Sequence, residues 1–283
     1  MRICILLLWL ALGLAAPAGA ETSTNARALE PGAVIAFVGG EDMVRAAECG
    51  YLEYLLVRAR PENHPRFHSL AWEGDTVFEQ RRDLNYPSLR QQLDTIGATV
   101  VLAQFGQMEV IDAGVTQGET LFEADAGFET AYSRLLSRLG AGGEGSKRSF
   151  VLLAPTPPEA PRLLNTVDAS MVKATAAIAH LAASLPNQVT IRNLSFENRH
   201  GYTRDGVHLN DSGQAAAARS IALGLLGEPP NAETANLPPK TEDEKRLLDL
   251  IVEKNRLWFR YYRPQNWAFL AGDRTEQPSS RDD

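Results

Sequence analysis

The chain has 283 residues, 44% of them hydrophobic, with 28 Lys and Arg against 35 Asp and Glu, for a net charge of −7 at pH 7. That length and apolar content suffice to bury one sizeable core and leave room for extensions. The acidic balance argues against a nucleic-acid binder, which needs a basic face to meet phosphate.

The N-terminus reads as a secretory signal peptide over residues 1–20. Met1 and Arg2 precede an apolar run from Ile3 to Ala16, and Ala18-Gly19-Ala20 supplies a small-residue cleavage site. A short membrane anchor is the rival reading, but the run is shorter than a comfortable span, and no later segment approaches transmembrane length. Cleavage removes Arg2 and Cys4, leaving 27 basic residues against 35 acidic ones, or −8. Cys49 is then the sole cysteine, so no internal disulfide forms, and no Cys/His spacing matches a zinc site. Cys49 is expected as a buried free thiol on the apolar side of the first helix.

Residues 21–32 are polar and read as a linker. Residues 34–38 are apolar throughout and run into Gly39-Gly40, a buried strand entering a tight turn. A helical pattern follows, with Asp42 as N-cap and Val44, Ala47, Tyr51, Leu52, Tyr54 and Leu55 on its apolar side. After a proline-rich loop at 61–65, residues 67–71 read as a short second strand and 73–76 as a turn. Residues 86–96 suggest a helix, 99–105 a third strand, and 106–109 a turn opening a longer loop of the length functional loops often have. An amphipathic helix is expected over 128–139, carried by Phe128, Tyr132, Leu135, Leu136 and Leu139. A fourth strand at 149–154, an Ala-rich helix at 167–183, a fifth strand at 189–194 and a last helix at 215–225 complete the unit.

Strands alternating with helices at this spacing predict an α/β domain over 33–227 with a doubly wound parallel sheet of five strands. Right-handed crossovers bring every strand's carboxyl end to one rim, where the loops at 39–42, 73–76, 106–109 and 200–208 leave it.

Residues 228–240 read as a second linker. Thr241 and Glu244 make a capping box for a helix carrying Leu247, Leu250, Ile251, Leu257, Trp258 and Tyr261 at helical spacing. This C-terminal helix and an aromatic arm occupy 241–270, and 271–283 reads as a disordered tail. In the stretch Arg260 to Trp267, arginines interleave with aromatics. Two readings stay open: an arm wrapped over the sheet, or a stacking face for a sugar or a partner protein.

Together the rim loops resemble the SGNH (GDSL-type) hydrolase family over residues 34–226. The family's Gly-Asp-Ser block aligns with Gly39-Gly40-Glu41, its Gly-Asp-Thr with Gly74-Asp75-Thr76, its Gly-x-Asn-Asp with Gly106-Gln107-Met108-Glu109, and its Asp-x-x-His with Asp205-Gly206-Val207-His208. More narrowly the chain is similar to SGNH modules of secreted planctomycete-type proteins, in which a Lys-Asn pair and an Arg-Pro-Gln-Asn segment follow the domain, as Lys254-Asn255 and Arg263 to Asn266 do here. The resemblance implies a three-layer α/β/α, flavodoxin-like architecture and ester hydrolysis without a cofactor. It also implies Asp205 as the residue orienting a general base, His208 as that base, and Gly74 as one oxyanion donor. At the two decisive positions the chain departs: Glu41 stands where the nucleophilic serine belongs, and Met108 where the oxyanion asparagine belongs.

A carboxylate opposes charge developing on an oxyanion, and each lost donor costs about 100- to 1000-fold in rate. Three readings follow. The module is catalytically degenerate and binds a ligand, such as an acylated carbohydrate, or another secreted protein. Or it hydrolyses esters with Glu41 or an activated water beside His208 and Asp205. Or Glu41, His208 and Asp205 form a small metal site, a spacing that fits no standard ligand pattern. Against all three, Asp205 and His208 read as a hydrogen-bonded pair stabilising their own loop. His64, His68, His180 and His200 give no reason to be called functional.

Overall fold

The computed structural model describes residues 30–116, 127–141, 148–159, 165–185, 201–227 and 237–277. The signal peptide, the linker up to residue 29, the strand expected at 189–194, most of the linker at 228–240 and the last six residues lie outside the described residues.

Among the described residues the sheet has four strands, not five. β1 (Val34–Gly39), β2 (Arg66–Ser69), β3 (Val100–Gln104) and β4 (Ser149–Leu153) lie in the order β2-β1-β3-β4, and all pairs are parallel. β1, β3 and β4 are buried along their whole length, which is why their sequences are continuous apolar runs rather than alternating ones. The register stacks like faces: Phe37 lies opposite Leu102, and Leu102 opposite Val151. That row, with Ile35 and Val100, belongs to one apolar cluster, while Ala36, Val38, Val101, Ala103, Phe150 and Leu152 belong to the other.

Helices α1 (Glu41–Cys49), α2 (Tyr51–Ala59) and α7 (Asp211–Leu226) cover the first face. α3 (Leu89–Thr95), α5 (Phe128–Leu139) and α6 (Asn165–Ser184) cover the second, and α4 (Gln107–Thr116) follows β3. The result is three layers with a core on each side of the sheet.

Several boundaries differ from expectation for physical reasons. The first helix is two: Gly50 sits at φ 68° and closes α1, its N–H bonding to Ala46, and a Cβ there would lie 2.9 Å from Ile251. The helix expected from residue 86 starts at Leu89. Proline at 87 disfavours helical backbone at Tyr86, and Ser88 makes a capping box with Gln91. Ser88→Ala is expected to lower stability by about 1 kcal/mol in chemical denaturation; an unchanged midpoint would show that tertiary packing alone sets this helix start. The first part of the loop expected after residue 109 is instead helical, within α4, and residues 117–126 lie outside the described residues. The N-terminus of α4 is held by Glu109, whose carboxylate accepts the Gly106 N–H at 3.0 Å, half of a capping box.

α8 (Glu242–Tyr262) starts at the expected box of Thr241 and Glu244. It covers the outer edge of β2, the edge strand. Side chains one turn apart reach carbonyls of that strand and of the residue after it: Lys254 donates to Phe67 at 3.2 Å, Trp258 to Ser69 at 2.6 Å, and Tyr262 to Leu70, just past the strand, at 3.2 Å. An open sheet edge is thereby closed to pairing with another chain. The inward stripe is therefore Leu247, Ile251, Asn255, Trp258 and Tyr262, whereas Leu250, Leu257 and Tyr261 face outward, Tyr261 being 80% exposed. The arm wraps back on the body. Arg263 lies 3.9 Å over the Trp72 ring, and Trp267, which begins the short α9 (Trp267–Leu270), packs edge-on against Tyr86 at 5.0 Å.

Candidate functional site

The rim forms where β1 and β3 end. Gly39 has φ 148°, and a Cβ there would lie 2.2 Å from the Gln104 carbonyl; only glycine lets the two strand ends come this close. A Cβ on Gly40 would lie 3.0 Å from the Asp75 carbonyl, so the 73–76 turn sits directly against the entry to α1.

Glu41 is the first residue of α1, yet its carboxylate turns along its own helix. Oε1 accepts from Arg45 Nε at 2.9 Å, and Arg45 also holds Glu48 at 2.6 Å. His208 belongs to a separate pair. Its Nδ1 lies 2.7 Å from Asp205 Oδ2, while Asp205 Oδ1 accepts the backbone N–H groups of Val207 at 3.0 Å and His208 at 2.8 Å. Those donors, the His208 amide first, hold the Asp205 carboxyl well below the usual range. Asp205 thus fixes the His208 ring and leaves Nε2 for proton transfer. The carrying loop is tightly built. Arg204 N–H bonds the His208 carbonyl at 2.8 Å, Glu159 accepts from Thr203 at 3.0 Å, and Asn210 caps α7 by accepting from Gly213. Gly213 packs so closely that a Cβ would lie 2.1 Å from the Tyr202 carbonyl.

Gly74 is exposed in its turn, with nothing within 4 Å of where a Cβ would be. Its neighbours do structural work. Asp75 holds Arg82 through two contacts at 2.6 and 2.7 Å, Arg82 lies 4.3 Å over Trp72, and Glu73 pairs with Arg263 at 2.7 Å. Met108 is 44% exposed on α4 and brings no donor to the rim. Glu109, beside it, is buried and joins the second and third rim loops by accepting from both Val77 and Gly106.

Of the three groups in the metal-site reading, Asp205 and His208 are in contact and Glu41 is paired with Arg45. Among the described residues no cluster of three His, Cys, Asp or Glu is placed to hold an ion. Cys49 is half-buried rather than buried; burial still pushes its thiol up to about 11, so it stays protonated.

What the sequence reading missed is Asp42, taken there only as an N-cap. It is buried at 8% exposure under the rim. Burial pushes its carboxyl up to about 6, against the opposing pull of hydrogen bonds from Thr156 and Gln107 and of the charge on His208. Gln107 in turn donates to the carbonyl of Val207 at 3.4 Å, tying Asp42 to the histidine loop. Asp42 Oδ2 and Gln214 Nε2 lack a hydrogen-bond partner and line the same enclosed pocket of about 10 Å3 with Gln104 and Thr156, room for about one water. One signal was available: Gln104 is a lone amide at the end of the apolar run 100–103. Outside this pocket a broad cleft of about 560 Å3 opens between Arg45, Cys49, Arg204 and Asp211.

No protein-family model matches the sequence, and no curated protein matches it. Solved structures do match in fold. A catalytic mutant of Axe2, an acetylxylan esterase from Geobacillus stearothermophilus, superposes with a TM-score of 0.53 at 14% identity, covering 71% of this chain and 96% of its own. A second catalytic mutant of Axe2 gives 0.51 at 13% identity, covering 70% and 96%. LAE5, an alpha/beta hydrolase from the metagenome of Lake Arreo, Spain, gives 0.52 at 16% identity, covering 70% and 97%. The chain shares the α/β fold of these hydrolase structures. At these identities the likeness fixes the backbone framework, and what the rim does rests on this chain's own side chains.

Proposed function

We propose that the chain is an exported SGNH-fold module that has lost ester hydrolysis and keeps its rim cleft for binding an acylated carbohydrate. The observation carrying this reading is the Glu41–Arg45 pair at 2.9 Å. The side chain at the nucleophile position is an acid and is already paired with an arginine of its own helix. Met108 offers nothing to an oxyanion, a loss of about 100- to 1000-fold where an amide donor is needed. The carbohydrate is supported by the neighbours, which are acetylxylan esterases, and by the mixed polar lining of the cleft, which includes Arg45, Arg204, Asn210 and Asp211. Export is supported by the signal-like sequence of residues 1–20.

A second reading is favoured by one observation, the 2.7 Å contact between His208 and Asp205. An oriented imidazole can take a proton from water, and the hydroxide can then add to an ester carbonyl without a serine. The two readings separate by hydrolysis of p-nitrophenyl acetate and acetylated xylan. The wild-type protein is expected at background, with Glu41→Ser/Met108→Asn rising at least about tenfold above it, because one nucleophile and one donor are restored. Acetylated xylo-oligosaccharides are expected to bind the wild type saturably in calorimetry. Wild-type turnover abolished by His208→Ala would replace degeneracy with water activation, and absence of binding would remove the carbohydrate.

A further inference from the structure

α8 does not pack flush on the domain. It packs tightly at Gly50, where a Cβ would lie 2.9 Å from Ile251. From Val252 onward a pocket of about 250 Å3 opens between α8, α1 and the end of β2. On one side are Val44, Ala47 and Ala71; on the other are Trp258, Phe259 and Tyr262. The small side chains of Ala47 and Ala71 leave the space open. The hydrogen bonds of α8 to the β2 edge, with Asn255 donating to the Ala47 carbonyl at 2.8 Å, fix the opposite wall.

The chemistry of the wall is one-sided. The indole N–H of Trp258, the hydroxyl of Tyr262 and the amide N–H of Asn255 are all engaged with backbone carbonyls, so these donors are already used and the Trp258 and Tyr262 rings supply apolar wall. The two charged residues at the mouth are engaged as well: Glu48 with Arg45 at 2.6 Å, and Arg256 with Glu253 at 2.5 and 2.7 Å. A charged guest would find no free counter-ion and would pay desolvation. A neutral ring would gain the apolar contact of three aromatic side chains, and Phe259, 38% exposed, has surface left to cover. An apolar cavity of about 150 Å3 accepts benzene, so this one has room for a substituted or fused ring.

We propose that the pocket between α1 and α8 is a binding site for a neutral aromatic ring compound. It lies on the part of α1 carrying Val44 and Ala47, apart from Asp205 and His208, and stands whether or not the rim cleft binds carbohydrate.

The test titrates the full-length protein with indole and p-cresol, and with benzoate as an anion of similar size, by calorimetry and by NMR. The neutral compounds are expected to bind saturably, with benzoate at least about tenfold weaker. Intermolecular contacts should run to the methyls of Val44 and Ala47. Val252→Trp, which fills the mouth from the half-buried side of α8, is expected to weaken indole by about tenfold or more. No saturable binding, equal binding of benzoate, or indole contacts lying elsewhere would overturn the proposal. The NMR contacts on wild-type protein decide it even if Val252→Trp fails to fold.

Discussion

Lys254→Met is expected to lower the free energy of unfolding by about 3 kcal/mol, and adding Glu53→Leu to recover more than half of that loss. Lys254 Nζ contacts both carboxylate oxygens of Glu53, at 2.6 and 2.8 Å, and Glu53 has a side chain only 7% exposed on α2. Burial already pushes the Glu53 carboxyl up, against the opposing effect of Lys254 and Asn255. Removing the ammonium leaves a carboxylate under α8 with the Asn255 amide at 3.3 Å as its remaining contact among the described residues. A broken buried pair costs more than the pair was worth, because the surviving charge keeps its desolvation penalty. The figure sits at the low end of the usual range because the Lys254 side chain is 43% exposed and water screens part of the pair. The sign with pH follows. A carboxyl raised in the folded state contributes stability below its unfolded pKa and loses it as pH rises, so the deficit of Lys254→Met should be larger near pH 8 than near pH 4. Urea unfolding followed by tryptophan fluorescence reads both quantities. A single-variant loss under about 0.5 kcal/mol would mean that the pair behaves as a surface salt bridge and that α8 is held by its apolar and edge contacts alone.

The Lys254-Asn255 pair shows where reading the sequence stopped. The resemblance to secreted SGNH modules marked the two residues without a reason for them, because their partners, Glu53 and the carbonyl of Ala47, lie about 200 positions away in the chain. What was legible was local. β1, β3 and β4 are unbroken apolar runs, and α5 shows a clean helical stripe from Phe128 to Leu139, so period and burial pointed the same way. The Asp205–His208 contact was legible because its two residues lie three positions apart in one loop. The break at Gly50 was less so, since α1 and α2 share one apolar pattern and the reason for a glycine is the later arrival of Ile251. β2 was weak for a related cause: it is an edge strand whose cover is the side chains of α8 rather than a face-packing helix. At the rim, the sequence named the positions Glu41 and Met108 but gave no direction for either side chain. An acid one turn before an arginine is as readily a helix-surface pair as a catalytic group, and the contact with Arg45 decides for the pair.

Asp42→Asn is expected to stabilise the protein most where Asp42 is ionised. In the fold this carboxyl titrates near 6, raised chiefly by burial and in smaller part by Glu41, and opposed by Thr156, Gln107 and His208. In the unfolded chain it returns to about 3.9. Below that value both states hold the proton and the group costs nothing. Between the two values the unfolded state releases its proton while the folded state keeps it, so stability falls as pH rises. Above 6 the folded carboxyl must be charged beneath the rim, with Oδ2 lacking a hydrogen-bond partner. The two values differ by about 2 pH units, which corresponds to about 3 kcal/mol lost in full by neutral pH. Asparagine has nearly the same shape, can hydrogen-bond to Thr156 and Gln107, and has no proton to lose. The stability difference between variant and wild type should therefore grow by up to about 3 kcal/mol between pH 4 and pH 7. Taking the difference removes the opposite trend from carboxyls held low, such as Asp94, Asp205 and Glu253, because both proteins share it. A pH-independent difference would show that Asp42 is charged in the fold throughout, with a counter-charge or solvent reaching it under the rim. A growing difference would place beneath the histidine loop an acid that stays neutral up to about pH 6, a rim whose polarity is set by Asp42 as much as by the residue at the nucleophile position.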